Sequence, residues 1–170
     1  MKHTLSVLVE DRPGALTRIT TMFARRAFNI DSLAVGPTER PGVSCITLRV
    51  DCSQHSLEQI EKQIHKLVNV LRVTELTAGD AVERELLVIK VTAPPERRAE
   101  LITTANAFQA RVVDLGTEAI VLELTGTPEE LDSFSELARP YGIQELVRTG
   151  RIGMSRASAK RQAPRLSAIN

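Results

Sequence analysis

At 170 residues, with 42% apolar and 25% charged side chains, the chain is long enough for one large domain or two small ones, and its composition excludes disorder throughout. A net charge of +1 supplies no overall field for a polyanion, and four Phe, one Tyr and no Trp nearly exclude base-stacking platforms for nucleic acid. Cys45 and Cys52 are too few for a disulfide framework, no apolar run reaches membrane-spanning length, and Met1–Thr4 leads into a strand-like run instead of a signal peptide, so a soluble, cytoplasmic protein is expected.

Thr4 to Val9 reads as a strand, stopped by the polar turn Glu10-Asp11-Arg12-Pro13-Gly14. Leu16, Ile19, Phe23 and Ala27 recur at helical spacing and predict an amphipathic helix over 15–27. Ile30 to Val35 is strand-like, the link through Gly36-Pro37 and Arg40-Pro41-Gly42 is rich in turn residues, and Val43 to Val50 is a second strand. Leu57, Ile60, Ile64, Leu67 and Val68 predict a second helix, and Val70 to Leu76 closes the unit as a strand.

After the polar break Thr77-Ala78-Gly79-Asp80 the pattern begins again. Glu85 to Thr92 is a strand, and Ala93-Pro94-Pro95 opens a helix with Leu101, Ile102, Ala105 and Phe108 inward. Strands follow at 111–115 and 119–125 around Gly116-Thr117. Thr127-Pro128-Glu129-Glu130 has the form of a capping box, and the helix it opens turns Leu131, Phe134 and Leu137 inward. Pro140-Tyr141-Gly142 ends that helix, and 143–147 is the last strand. The class is therefore α+β, with two tandem βαββαβ domains over 1–76 and 83–148, a linker at 77–82 and a basic tail at 149–170. Each copy predicts a four-stranded antiparallel sheet with helices on one face only. The apolar alternation on 43–50 and 119–125 suggests that a second copy or a partner subunit covers those strands.

No catalytic constellation emerges. His3, His55 and His65 are scattered and share no short motif with either cysteine, and there is no phosphate loop, nucleophile elbow or metal-binding histidine pair. The paired acids Glu129-Glu130 are accounted for by a helix first turn. No acidic residue follows Glu145, while Arg148, Arg151, Arg156, Lys160, Arg161 and Arg165 do. A solvated terminus is the plainer reading of that stretch and a docking arm the other.

The segment from Asp11 to Leu16 is different. Gly14 permits close approach of another molecule, and the amides of Gly14, Ala15 and Leu16 leave a helix N-terminus, where a carboxylate is held without a cationic side chain. Asp11 is placed to accept from an ammonium group, so a zwitterionic amino acid satisfies both ends. Equally, Asp11 caps the helix and Gly14 only makes the turn. Asn29-Ile30, at the exit of that helix, is the second candidate: an asparagine commonly takes the left-handed position that ends a helix, but its amide can also face a dimer partner's ligand loop.

Leu5 to Glu10 with Pro13-Gly14-Ala15-Leu16, then Arg25 to Val35, Leu57 to Leu67 with Val70-Leu71, and Val82 to Leu86 resemble the small, regulatory subunit of acetolactate (acetohydroxyacid) synthase, over about residues 3–156. The resemblance implies an N-terminal ACT domain, ferredoxin-like and ligand-binding, with a second ferredoxin-like domain behind it. It implies a chain with no catalysis of its own that stimulates a large catalytic subunit and confers feedback inhibition by valine, in branched-chain amino-acid synthesis. Thiamine diphosphate, magnesium and FAD belong in that reading to the catalytic partner. The implied effector site comprises Asp11, Gly14, Ala15 and Leu16 of one chain, with Asn29 and Ile30 of the other chain of an ACT homodimer. Many relatives carry Asn where this chain has Asp11. The alternative is a free-standing ACT-type sensor acting on another metabolic enzyme. Neither nucleic acid nor a membrane is an expected partner.

Overall fold

The first half of the chain builds one sheet from β1 (Lys2–Glu10), β2 (Asn29–Pro37), β3 (Val43–Asp51) and β4 (Val70–Leu76), joined by the helices α1 (Ala15–Arg25) and α2 (Leu57–His65). The computed structural model describes residues 1–159. Strand order is β2-β3-β1-β4, antiparallel throughout, so the two βαβ crossovers interleave and leave β2 and β4 at the edges. One face of β1 and β3 alternates Leu5, Val7, Val9 with Ile46, Leu48, Val50, and these close a dry core with Ile19 and Phe23 of α1 and Ile60 and Ile64 of α2. Each fully buried side chain of that size stabilises the fold by about 1.5–3 kcal/mol.

The helix α1 stops two residues short of the predicted end. Ala27 takes a left-handed φ of 54°, and Phe28 turns back to stack edge-on against Phe23, with ring centroids 5.7 Å apart. Asn29 is therefore not the left-handed residue at the helix end; it is already the first residue of β2. At α2 the Ser56 hydroxyl accepts from the Gln59 amide while the Gln59 side chain accepts from the Ser56 amide, a capping box. Val68, counted as helical from spacing, lies beyond α2 and is 83% exposed.

The second unit repeats the plan with β5 (Ala81–Thr92), α3 (Pro95–Ala107), β6 (Arg111–Leu115), β7 (Ala119–Gly126), α4 (Pro128–Ala138) and β8 (Ile143–Arg148), in the order β6-β7-β5-β8, and a short strand β9 (Ile152–Ser155) pairs with β5. Its core joins Leu87, Ile89 and Val91 to Ile120, Leu122, Leu101, Leu131 and Phe134. Leu137 is expected inside but is 48% exposed: Leu131, Phe134 and Ala138 define the inward stripe of α4, and position 137 falls at its margin, about 60° around the helix from Phe134. The alternation on β3 and β7 does not require an outside partner either. Its apolar members face the chain's own helices, so the helix layer covers them.

The units divide between Val82 and Glu83, the first including the described residues from Gly153 onward. Only Thr77–Asp80 forms the turn between them, because β5 already begins at Ala81, within the expected linker. Residues 149–159 are not a free tail: the Thr149 amide donates to the Leu86 carbonyl (3.1 Å), β9 follows, and the Arg156 amide donates to the Asp80 carbonyl (2.8 Å). Two of the terminal cations are consumed by ion pairs. Glu85, 7% exposed, lies 3.4 Å from both Arg148 and Arg151, which also reach Asp132 (2.7 Å) and Glu83 (2.9 Å). Lys160, Arg161 and Arg165 lie outside the described residues.

The predicted cap of α4 is in place. Thr127 Oγ1 accepts from the Glu130 amide (3.3 Å), and Glu130 Oε2 accepts from the Thr127 amide (2.7 Å). The glutamate passes so close to Gly126 that a Cβ there would meet its Oε2 at 2.8 Å. Accepting that backbone amide lowers the Glu130 carboxyl from its ordinary value of 4.5. A lowered carboxyl stabilises the fold above its ordinary value, and the contribution is lost as pH falls through its folded value. Thr127→Ala should cost about 1 kcal/mol of stability in urea unfolding at pH 7. Glu130→Gln, which keeps an acceptor, should flatten the acid limb of a pH titration of unfolding below pH ~4.5; an unaltered acid limb would remove Glu130 from that transition.

Candidate functional site

The loop from Glu10 to Gly14 is pinned at its start and open at its end. The Glu10 amide donates to the Asn69 carbonyl (2.9 Å) and the Asp11 amide to the Gly42 carbonyl (2.8 Å), so both neighbouring connections hold it. The Glu10 carboxylate is engaged by Asn69 Nδ2 (3.1 Å) and Arg12 Nε (3.2 Å). Gly14 then caps α1 with φ +84°, a conformation in which an L side chain is strained, and a Cβ built there meets nothing within 4 Å. The helix thus starts from bare backbone facing open space.

Three amides leave that helix end without an acceptor among the described residues: Gly14, Leu16 and Thr17. Ala15 does not belong with them. Its amide donates to the Arg12 carbonyl (3.1 Å) and its side chain is 7% exposed, so it supports the loop from beneath. Thr17 joins the site beyond the residues expected from sequence, and its place in the first turn is the signal, since the first few amides of any helix lack intrahelical partners. No acidic residue in the first turn offsets the positive end of the dipole.

Asp11 is exposed, and no side chain caps α1, so the capping reading of Asp11 is not what the structure contains. Its carboxylate has no partner among the described residues. Leu16, 38% exposed, stands beside the free amides. Amides free to donate to an anion, an unpaired carboxylate and an exposed aliphatic side chain therefore share one loop, a set that complements a small zwitterion with an apolar group.

Asn29 and Ile30 are not in this cluster. Asn29 pairs with Asp51 and Ile30 with Val50, at the end of the sheet where Lys2 also meets Asp51; Glu10 meets Val43 at the other end. Eight rows of the ladder separate the two groups, about 27 Å at 3.4 Å per residue. Within one chain they cannot touch the same small ligand. Asn29 Nδ2 donates to Asp31 Oδ1 (3.0 Å), and Asp31 Oδ2 is held by Lys2 (2.7 Å), which fixes the amide at the exposed start of β2. Ile30 is half-buried against the first core.

The remaining reactive side chains have local roles. His3 Nδ1 bonds Glu75 (2.8 Å), His55 stacks on Phe28, and Cys45 Sγ lies 3.4 Å from Ser6 Oγ. Among the described residues no three His, Cys, Asp or Glu side chains are grouped to hold a metal ion, and no helix is long and apolar enough to cross a membrane.

Two family models cover the two units: an AHAS small subunit-like ACT domain over residues 5–72 and the small subunit of acetolactate synthase over residues 84–157. The acetolactate synthase small subunits of Mycolicibacterium smegmatis and Mycobacterium leprae are 47% and 44% identical to this chain over 154 residues, in each case 91% of both proteins. The crystal structure of the acetolactate synthase small subunit from Thermotoga maritima superposes with a TM-score of 0.85 at 35% identity, over 92% of this chain and 98% of that one. Two tandem ferredoxin-like domains, and matches that run nearly end to end, make this chain a member of the acetolactate synthase small-subunit family.

Proposed function

We propose that the chain is the non-catalytic regulatory subunit of an acetolactate synthase in branched-chain amino-acid synthesis, raising the turnover of a large thiamine-diphosphate-dependent subunit and conferring feedback inhibition by valine. The reaction, two pyruvate to 2-acetolactate and carbon dioxide, with its thiamine diphosphate, magnesium and FAD, belongs in this proposal to the partner. The observation that carries the sensing role is the bare start of α1, where the free amides of Gly14, Leu16 and Thr17 lie beside the unpaired Asp11.

The effector site is, in this reading, shared by two copies. Its support is the separation of about 27 Å between the Gly14 loop and Asn29, together with the open edge of β2. That edge is nine residues long and bears Val35, 48% exposed. Long bare edges invite pairing with another chain. Antiparallel pairing of β2 with its copy, about a two-fold axis, sets Asn29 of each chain against the Pro37 end of the other. Pro37 pairs with Ser44, one row from the Val43–Glu10 row that leads into the Gly14 loop. The carboxylate then meets the amides of α1, the ammonium meets Asp11, and the partner's Asn29 closes the site.

Reconstitution tests the proposal. Adding the chain to its matching catalytic subunit should raise acetolactate production several-fold to a plateau, and valine should inhibit only in its presence. Acetolactate synthesis by the pure chain, or no change in turnover at saturating chain, would refute it.

A further inference from the structure

We propose that the groove between α1 and α2 is the docking surface for an acidic, amphipathic helix of the catalytic subunit; this rests on the reading above that such a subunit is bound. The groove holds about 680 Å³ and is lined by Arg18, Arg25, Arg26 and Lys66 with Thr17, Thr21, Met22, Gln63 and Leu67. Its lining contains no carboxylate. None of its four cations has an ion pair among the described residues. Arg72, Arg84, Arg98 and Arg156 elsewhere also lack one, but Lys2, Arg12, Arg49, Lys62, Lys90, Arg111, Arg148 and Arg151 are paired. Among the described residues only the groove gathers four unpaired cations in one lining. Their clustering is a local field on a chain of net charge +1.

Like charges crowded on adjacent helices repel, and an acidic occupant removes that cost as it binds. The floor selects further. Met22 and Leu67 are half-buried there, and the methylene stems of the arginines add apolar wall below the charged heads. An apolar floor under a basic rim fits a helix that turns leucine or methionine downward and Asp or Glu outward, the helix-in-groove mode. From Thr17 to Arg26 the trough is about 14 Å long at 1.5 Å per residue, two to three turns of a guest helix. A nucleic-acid strand would use the cations but would leave that apolar floor without a counterpart.

The position also gives the effector a physical route to the partner. The helix that ends in the free amides of Gly14 and Leu16 is the one that carries Thr17, Arg18, Thr21, Met22 and Arg25 along the groove. A carboxylate clamped on its first turn acts on the same rigid element that the guest helix grips, so one body links the two sites.

The test uses the full chain and its matching catalytic subunit, with affinity measured by titration calorimetry at about 50 and 300 mM salt. The double variant Arg25→Glu, Lys66→Glu should weaken binding at least about tenfold at low salt. Wild-type affinity should fall as salt rises, and the variant should lose that dependence. Thr21→Glu, one carboxylate in the mouth of the groove, should weaken binding in the same direction, and it decides the matter if the double variant melts differently from wild type. Wild-type affinity and salt response in a normally folded variant would overturn the groove and leave the regulatory-subunit reading standing. No binding of the wild-type chain at either salt concentration would overturn both.

Discussion

Replacing Gly14 with Asp is expected to raise the concentration of valine needed for half-inhibition of the reconstituted enzyme at least about a hundredfold, equivalent to 2.7 kcal/mol or more. Two effects act together. A carboxylate at the cap of α1 competes for the Leu16 and Thr17 amides that otherwise wait for the ligand, and it adds a like charge where the helix dipole favours an anion. The fold should survive. Nothing lies within 4 Å of the new Cβ, and Asp tolerates a φ of +84° better than most side chains. Activation by the variant should therefore stay within about twofold of wild type, because the effector site is distinct from the partner contact. Unchanged valine inhibition would make the loop a plain turn and put the effector elsewhere.

Phe134→Ala should have the largest effect on folding. Phe134 is fully buried in the second core, with its ring 5.4 Å from that of Phe108. Truncation of such a side chain costs about 3–5 kcal/mol, a large fraction of what a unit of this size has in hand. The cores of the two units share no residue. Hydrogen exchange should therefore accelerate in β5, β7 and α4 while β1 and β3 keep their protection. Equal acceleration in both units would show that they unfold as one.

Much of this architecture is written in local patterns. The period-2 runs of β1, β3, β5 and β7 are legible because each places its apolar residues on one face, and so are Ile19 and Phe23 of α1 and Leu131 and Phe134 of α4, whereas Leu16, Ala27 and Leu137, which share the same helical spacing, are exposed. Thr127-Pro128-Glu129-Glu130 announced α4 because its cap needs only four adjacent residues. The same signal stands in Ser56-Leu57-Glu58-Gln59 and opens α2, where the apolar spacing alone also predicts a helix. What sequence spacing did not show depends on distant partners. β9 is only four residues, Ile152–Ser155, too short for an alternating pattern to show, and it is a strand because it pairs with β5. Arg148 and Arg151 look like part of a basic tail until the buried Glu85 is placed between them. In the candidate site, Asp11, Gly14 and Leu16 were legible from helix-end chemistry. The expected free amide of Ala15 is not there, because the Arg12 carbonyl takes it, a contact that depends on how the turn folds back. Of the two readings of Asn29, the helix-end one fails for a reason no local pattern shows: Ala27 takes the left-handed turn so that Phe28 can reach Phe23.

The shared site can be tested by mixing two defective chains, Gly14→Asp and Asn29→Ala, each of which should bind no measurable valine alone. In a two-fold dimer that takes its loop from one chain and its asparagine from the other, a mixed dimer concentrates both defects in one site and leaves the other site wild type. After denaturation and refolding of an equimolar mixture about half the dimers are mixed, so titration calorimetry should recover wild-type affinity at about a quarter of the sites. Recovery at that stoichiometry is the predicted result; no recovery in a mixture shown to contain mixed dimers would contradict a site built from two copies.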